Sequence, residues 1–266
     1  MPNPVSTGRQ SKAAGSLESV PDSVRQDMHA PPLTGVNVIA QLETSRPVQP
    51  REQDDTARRR KQRSELILLG DGVPVNPGLP PIELADDFLP RNKEAIAIRL
   101  LCVLMTAIKA DRMHQTMVLR VIRQYGLAAS FSPLEKNFVR TLDPGDGDKA
   151  RFSWRFESAW VMLWVLGYVD SLGSPAARCN ADFAVDCMRD RNRQSFIDDA
   201  KLRPLDQILD QADLVYRYRH ALADAAAARK KPPAGLNASI VYERHHAFNW
   251  LVRYSGRDWD EAAAED

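Results

Sequence analysis

The sequence predicts a mainly α-helical protein, a single multi-helix domain around one central apolar, tryptophan-rich helix, with a disordered N-terminal tail. Three observations carry this. From residue 91 onward apolar residues recur at helical spacing, and strand-like alternation is nearly absent. Residues 151–169 (RFSWRFESAWVMLWVLGYV) hold three of the five tryptophans, Trp154, Trp160 and Trp164, and are apolar on nearly every side. A helix of that kind belongs inside a shell of other helices. Residues 1–55 are rich in Pro, Ser, Gln and Thr and have only short apolar clusters, so they bury too little surface to offset chain entropy.

The tail offers one route to docking on the domain, through Val36, Val38 and Ile39. The helical domain is expected over 56–262. It opens with a basic run at 58–63 (RRRKQR), which reads as the solvated first turns of a helix continuing into 64–69. No aromatic residues interleave the run, so no stacking platform for single strands is expected. Residues 70–81 (GDGVPVNPGLPP) form a connector that proline holds extended. Its glycines are not followed by GK[ST], so it is no phosphate cradle.

Helices follow at 94–110, with Ile96, Ile98, Leu100, Leu101, Val103, Leu104 and Ile108 as apolar positions, and at 115–125, with Gly126 as the cap. Ser132, Pro133 and Glu135 spell a helix start with a capping box. Residues 143–148 (DPGDGD) read as a solvated acidic turn, lacking the alternating ligands and distal Glu of a calcium loop. After the tryptophan-rich helix come a break at 173–175, a mixed segment to 203, a long helix over 204–229, a loop at 230–237 and a last helix over 239–254. No internal repeat is present.

Composition excludes several classes. Apolar residues make up 44%, charged residues 27%, and the net charge is +1, so no large field points to nucleic acid. The greasiest run, 159–169, falls short of the roughly 20 apolar residues a bilayer span needs. The first 35 residues show no charged-then-apolar leader pattern. Cys102, Cys179 and Cys187 lack CxxC spacing, which fits a reducing compartment. A cytoplasmic protein without membrane association is expected.

Function must then be sought in polar residues on apolar faces. Helical wheels at about 100° per residue place Glu157 inside the aromatic stripe of the tryptophan-rich helix and Arg244 at the centre of the last helix's apolar face. Tyr242, His246, Asn249 and Arg253 fall on the opposite, wet face. In the 204–229 helix the wheel puts Arg219 on the buried side, with Asp213 and His220 at its edge. An isolated buried charge is costly, so Arg244 is expected to pair with Glu157 or Asp213. Such a contact is either an ion-pair network that fixes helix register or the floor of a polar pocket. The candidate pocket comprises Arg155, Glu157, Asp213, Arg217, Glu243, Arg244 and His245.

Other chemistry is weaker. Glu243-x-x-His246 has the spacing of helix-borne metal ligands, but its only counterpart, Asp111-x-x-His114, sits in a connector-like stretch. No metal and no cofactor are expected. Of the vicinal pair His245-His246, one edge and one exposed histidine are expected. There is no GxSxG, HExxH or SxxK.

Several blocks, in order, resemble the bacterial domain of unknown function DUF4272 over about 56–262. They are LPP at Leu79, SPLEKNFV from Ser132, WRFESAWVMLWVLG from Trp154, LRPLDQILDQADLVYR from Leu202, VYERHHAFNWL from Val241, and the closing Trp259-Asp260. The resemblance implies that WRxE, the Asp-Leu-x-Tyr-Arg block and ERHxAxNWL form a shared feature of the fold. It implies no activity. The chain departs from the pattern at Arg219-His220, where a His-Trp pair is expected. Two functions therefore stand open. One is a non-enzymatic cytoplasmic module that binds an unknown protein partner or self-associates. The other is an enzyme or small-ligand binder using a pocket around Glu157, Asp213 and Arg244.

Overall fold

The expected helix starts are present with their chemistry. The computed structural model describes residues 50–84, 88–252 and 258–263. The tail expected to be disordered lies, as far as residue 49, outside these described residues, and so do its Val36, Val38 and Ile39. No strand occurs among the described residues. The helices are α1 (Pro50–Gly70), α2 (Lys93–Ala110), α3 (Gln115–Gln124), α4 (Pro133–Arg140), α5 (Asp146–Ser153), α6 (Arg155–Val165), α7 (Ala181–Arg189), α8 (Arg193–Asp199), α9 (Leu205–Ala227) and α10 (Ala238–Val252). Single 3₁₀ turns occur at Pro233–Gly235 and Glu261–Ala263.

Local signals fix most boundaries. Asn92 accepts from the Ala95 N–H at the start of α2. At α4 the Ser132 hydroxyl accepts from the Glu135 N–H while the Glu135 carboxylate accepts from the Ser132 N–H. α3 ends on Gly126 at φ 63, with the Leu127 N–H reaching back to the Ile122 carbonyl. Three expectations need correction. Residues 50–55 open α1 rather than closing a tail. The 143–148 stretch already enters a helix at Asp146, whose acidic first turn complements the helix dipole. The 151–169 stretch is two helices, meeting at Trp154 in a tight turn. There the Trp154 N–H bonds Arg151 O and the Glu157 N–H bonds Trp154 O.

The helices stack in the order α2, α6, α10, α9, α1, each packing on the next. α2 also meets α3, α4, α5, α7 and α8, which explains why it is buried from Ile96 to Ala110 except at its rim. α6 lies between α2 and α10, hence its apolar residues on every side. Two of the three tryptophans face the 170–183 region: Trp160 meets Phe183 edge-on at 6.2 Å, and the Arg178 guanidinium lies 3.8 Å over Trp154.

The basic run at 58–63 is solvated at Arg58, Arg59, Gln62 and Arg63, as expected of the first turns of a helix, but Arg60 is buried and Lys61 half-buried. α1 buries Ala57, Arg60, Ser64 and Leu68, a stripe at helical spacing that packs on α9. Arg60 Nη1 donates to Ile82 O at 2.9 Å, and Lys61 Nζ donates to Pro77 O and Leu79 O at 2.6 and 2.7 Å. These cations hold the proline connector by its carbonyls, which an extended segment outside helix or sheet leaves in need of donors. No described helix is long and apolar enough to cross a membrane.

Candidate functional site

The seven candidate residues do not converge on one pocket. Six of them form three separate buried polar contacts, and the seventh, His245, lies beside α9.

The first contact joins α6 to α10 as the wheels require. Arg244 Nε lies 3.0 Å from Glu157 Oε2, with the two residues 2% and 1% exposed. Each head group makes one further bond. Glu157 Oε1 accepts from the Cys179 N–H at 2.7 Å, and Arg244 Nη1 donates to Gly173 O at 2.8 Å. The pair therefore fixes helix register and ties down the 173–179 segment. Burial, reinforced by the Glu157 carboxylate, pushes the neighbouring Cys179 thiol up, away from thiolate.

The second contact joins the same two helices through neighbouring positions, Arg155 and Glu243. Arg155 Nη1 lies 3.2 Å from Glu243 Oε2, which also takes the Ser158 hydroxyl at 2.6 Å. The same Arg155 nitrogen meets His246 Nδ1, and His246 Nε2 lies 2.9 Å from Trp259 O. A guanidinium can only donate, so Nδ1 accepts and the proton sits on Nε2, where it bonds the carbonyl. Burial, followed by the Arg155 charge, pushes the His246 pKa down to about 3. Burial also raises the Glu243 pKa, against the pull of Arg155 and Ser158. The Trp259 ring stacks on His246 with centroids 4.0 Å apart. His246 and Asn249 are thus buried, not on a wet face, and both vicinal histidines are inside. α10 has α6 on one side, α9 on another and the 258–263 segment on a third, so a wheel with one buried face misplaces them. Tyr242 is exposed, as expected, and Arg253 lies outside the described residues.

The third contact faces the other way. Arg217 grips Asp213 through two hydrogen bonds, Nε–Oδ2 at 2.8 Å and Nη2–Oδ1 at 3.0 Å. Asp213 Oδ1 also accepts from the Ile82 N–H at 3.1 Å, and Arg217 Nη2 donates to Pro80 O at 3.2 Å. The pair clamps the connector, not Arg244. Arg219, expected on the buried side, is half-exposed, while Arg217 is buried. α9 has two packed faces, one on α10 and one on α1, and the wheel centred only the first. His245 sits 3.3 Å from Asn249 Nδ2 and its ring lies 6.4 Å from that of Tyr216.

Of the seven, Arg244 lines a large concavity, of about 560 Å³, between α9 and the 170–175 loop. Glu157 meets only a recess of about 40 Å³ on the Trp154 side. The larger concavity is otherwise built by residues outside the candidate set, among them Asp71, Asp170, Arg203 and Tyr218. Tyr218 donates to Asp71 Oδ2 at 2.5 Å, and burial together with that carboxylate holds its phenol protonated. Arg203 is set by the C-terminus of α6. The Lys201 and Arg203 N–H groups bond Leu166 O and Val165 O at 2.8 and 2.9 Å, and Arg203 Nε donates to Trp164 O at 2.7 Å. These bonds satisfy orphan carbonyls of the helix end. Asp71, Asp170 and Arg203 lie in loops, which carry no periodicity, so no wheel could have found them, whereas Tyr218 lies on α9.

No group of three or more His, Cys, Asp or Glu side chains suited to a metal occurs among the described residues. No curated protein and no solved structure matches the chain. A family pattern does match, over residues 60–262, and it covers every contact described above. The chain belongs to the family described as Domain of unknown function (DUF4272).

Proposed function

We propose that the chain is a non-enzymatic protein-interaction module of the cytoplasm that docks an acidic, amphipathic segment of a partner protein in a groove between α3 and α4. One observation carries the reading. The groove, about 260 Å³, has an apolar floor that includes Leu119, Ile122, Phe131 and Val139 and a rim of Arg123, Lys136 and Arg140. Leu119, 41% exposed, is the most open to solvent of these floor residues. None of the three rim cations, nor nearby Arg120, has a carboxylate within ion-pair distance among the described residues. Between 112 and 142 the chain carries Arg112, Arg120, Arg123, Lys136 and Arg140 against one acid, Glu135, and Glu135 is buried on Arg99. A chain of net charge +1 thus concentrates its cations around an apolar trough. A helix with an apolar stripe and flanking carboxylates complements both features. The floor offers no exposed aromatic face, which argues against stacked bases.

A binding role rather than a catalytic one is supported by the state of the buried reactive groups. Glu157, Asp213 and Glu243 are each engaged by arginine, and burial raises all three thiols. The free state of the three cysteines supports a reducing compartment.

The test uses a labelled amphipathic peptide of Leu and Glu and a twin with Lys in place of Glu, titrated with the full chain. The acidic peptide is expected to bind in a salt-dependent way, the basic twin not at all, and R123E/R140E is expected to weaken binding by about tenfold or more. Equal binding of the twins, or wild-type affinity in the double variant, overturns the proposal. So does a concentration-dependent dimer that R123E/R140E abolishes, because the groove would then serve a second copy.

A further inference from the structure

The concavity between α9 and the 170–175 loop gathers charges of both signs that do not neutralise one another. Arg244 spends Nε on Glu157 and Nη1 on Gly173 O, leaving Nη2 without a partner among the described residues. Arg203 spends Nε on Trp164 O and Nη2 on Val169 O and Asp170 O, leaving Nη1 likewise. Both guanidinium groups are thereby held rigid by backbone carbonyls, and Arg203 also lies 4.7 Å over the Trp164 ring. On the same concavity Asp71 keeps one carboxylate oxygen unused, its other taking the Tyr218 hydroxyl. The exposed Asp170 side chain has no ion pair or hydrogen bond among the described residues. Opposite charges that share a concavity usually collapse into pairs, and here neither arginine lies within ion-pair distance of either aspartate.

We infer that this concavity binds a small zwitterion bearing a carboxylate and an ammonium group, a free α-amino acid in the simplest case. The free guanidinium nitrogens of Arg203 and Arg244 receive the carboxylate. Asp71 and Asp170 receive the ammonium group. Two rigid guanidinium donors suit an oxyanion, because little side-chain freedom is lost on binding. The hydroxyls of Ser171 and Ser174 each accept a backbone N–H, from Gly173 and Ala176, and so each keeps its proton for a ligand oxygen. The volume, about 560 Å³, falls in the range of roughly 300–1,000 Å³ typical of small-molecule sites. A bare anion would leave the aspartates unpaired and repelled, and a bare cation would do the same to the arginines. The inference is independent of the α3–α4 groove.

The experiment is calorimetric titration of the full chain with each free amino acid, with acetate, methylammonium and inorganic phosphate as comparators. At least one amino acid is expected to bind while the three comparators do not. D71N/D170N removes both anionic partners without touching a buried bond, since the amide oxygen introduced by D71N still accepts from the Tyr218 hydroxyl. It is expected to weaken amino-acid binding by about tenfold or more while far-UV circular dichroism stays unchanged. R203Q is expected to do the same through the carboxylate. Absence of binding by every amino acid, binding of acetate or phosphate as tight as the amino acid's, or wild-type affinity in D71N/D170N overturns the inference.

Discussion

Arg155 on α6 and His246 on α10 share a hydrogen bond in which the guanidinium donates and Nδ1 accepts, and the opposite ring nitrogen carries the proton to Trp259 O. The imidazole is therefore neutral by geometry, and burial with the Arg155 charge sets its pKa at about 3. Its unfolded value is near 6.5. Between those values the unfolded chain binds the extra proton, so stability rises with pH across that window and falls as pH drops from about 6.5 toward 3. Glu243 acts oppositely. Its folded pKa is raised above 4.5, so the folded state holds a proton longer, and stability falls as pH rises through that raised value. His246→Gln keeps a donor toward Trp259 O but cannot titrate. Wild type should lose stability relative to this variant below pH 6.5, by at most about 1.4 kcal/mol per pH unit. Urea melts at a series of pH values read this, and parallel curves for the two proteins would refute the assignment.

The Glu157–Arg244 contact makes a second prediction. Arg244→Ala strands a carboxylate that is 1% exposed, and should destabilise by about 3–5 kcal/mol. Glu157→Gln with Arg244→Met leaves no charge behind, and the amide oxygen that replaces the carboxylate can still accept from the Cys179 N–H. The double variant should cost less than Arg244→Ala alone. Urea unfolding measures both. A cost for Arg244→Ala no larger than that of an exposed arginine would contradict the burial.

How far these features could be read from sequence depends on whether their cause is local. The α4 capping box and the Gly126 cap rest on residues within a turn of one another, and both were legible. The Glu157–Arg244 pair was legible because a charge on a fully apolar face has few places to go. Asp213 was set only at the edge of the buried side and Arg217 on no face, because which face of α9 meets α1 depends on the chain's path through the connector. His246 and Asn249 were misplaced for the same reason, since the 258–263 segment folds back over the side of α10 that a wheel counts as wet. The break at Trp154 has no Gly or Pro to announce it. The blocks shared with the family meet in space. LPP is held by the Asp-Leu-x-Tyr-Arg block through Pro80 and Arg217, WRFES meets ERHHA through Arg155 and Glu243, and Ser132 of SPLEK meets Asp260. What the blocks have in common is the set of buried polar clamps, which a one-dimensional reading sees as separate strings.

A third prediction concerns the closing Trp259-Asp260. Asp260 accepts from the Ser132 hydroxyl at 2.7 Å and from the Leu134 N–H at 3.0 Å, adding a second acceptor to the α4 N-terminus. Trp259 is 2% exposed, stacked on His246 and flanked by the Arg155 and Arg99 guanidinium groups at 5.2 and 5.6 Å. Asp260→Ala should cost about 1 kcal/mol, the usual value of a cap. Trp259→Ala should cost about 3–5 kcal/mol through the cavity it leaves. Thermal melts of the two variants check the ratio, and comparable losses would mean that the tryptophan is not the anchor of this segment.

The last prediction separates two glycines with the same backbone sign. Gly126 and Gly167 both sit at positive φ, 63° and 75°, each just past the end of a helix. A Cβ on Gly126 would meet only the flexible end of Arg193, at 3.7 Å. A Cβ on Gly167 would lie 2.7 Å from the Lys201 carbonyl oxygen, a backbone atom that cannot swing aside. That carbonyl belongs to the segment whose N–H groups bond Leu166 O and Val165 O, so relief of the clash pulls 201–203 off the end of α6. Gly126→Ala should cost only the left-handed penalty, about 1 kcal/mol. Gly167→Ala should cost that plus the lost backbone bonds, about 3 kcal/mol in all. It should also displace Arg203, because the arginine's backbone N–H is one of the bonds broken. Thermal denaturation of the two variants gives the costs. Equal losses would show that close approach, as distinct from backbone sign, does not matter at Gly167.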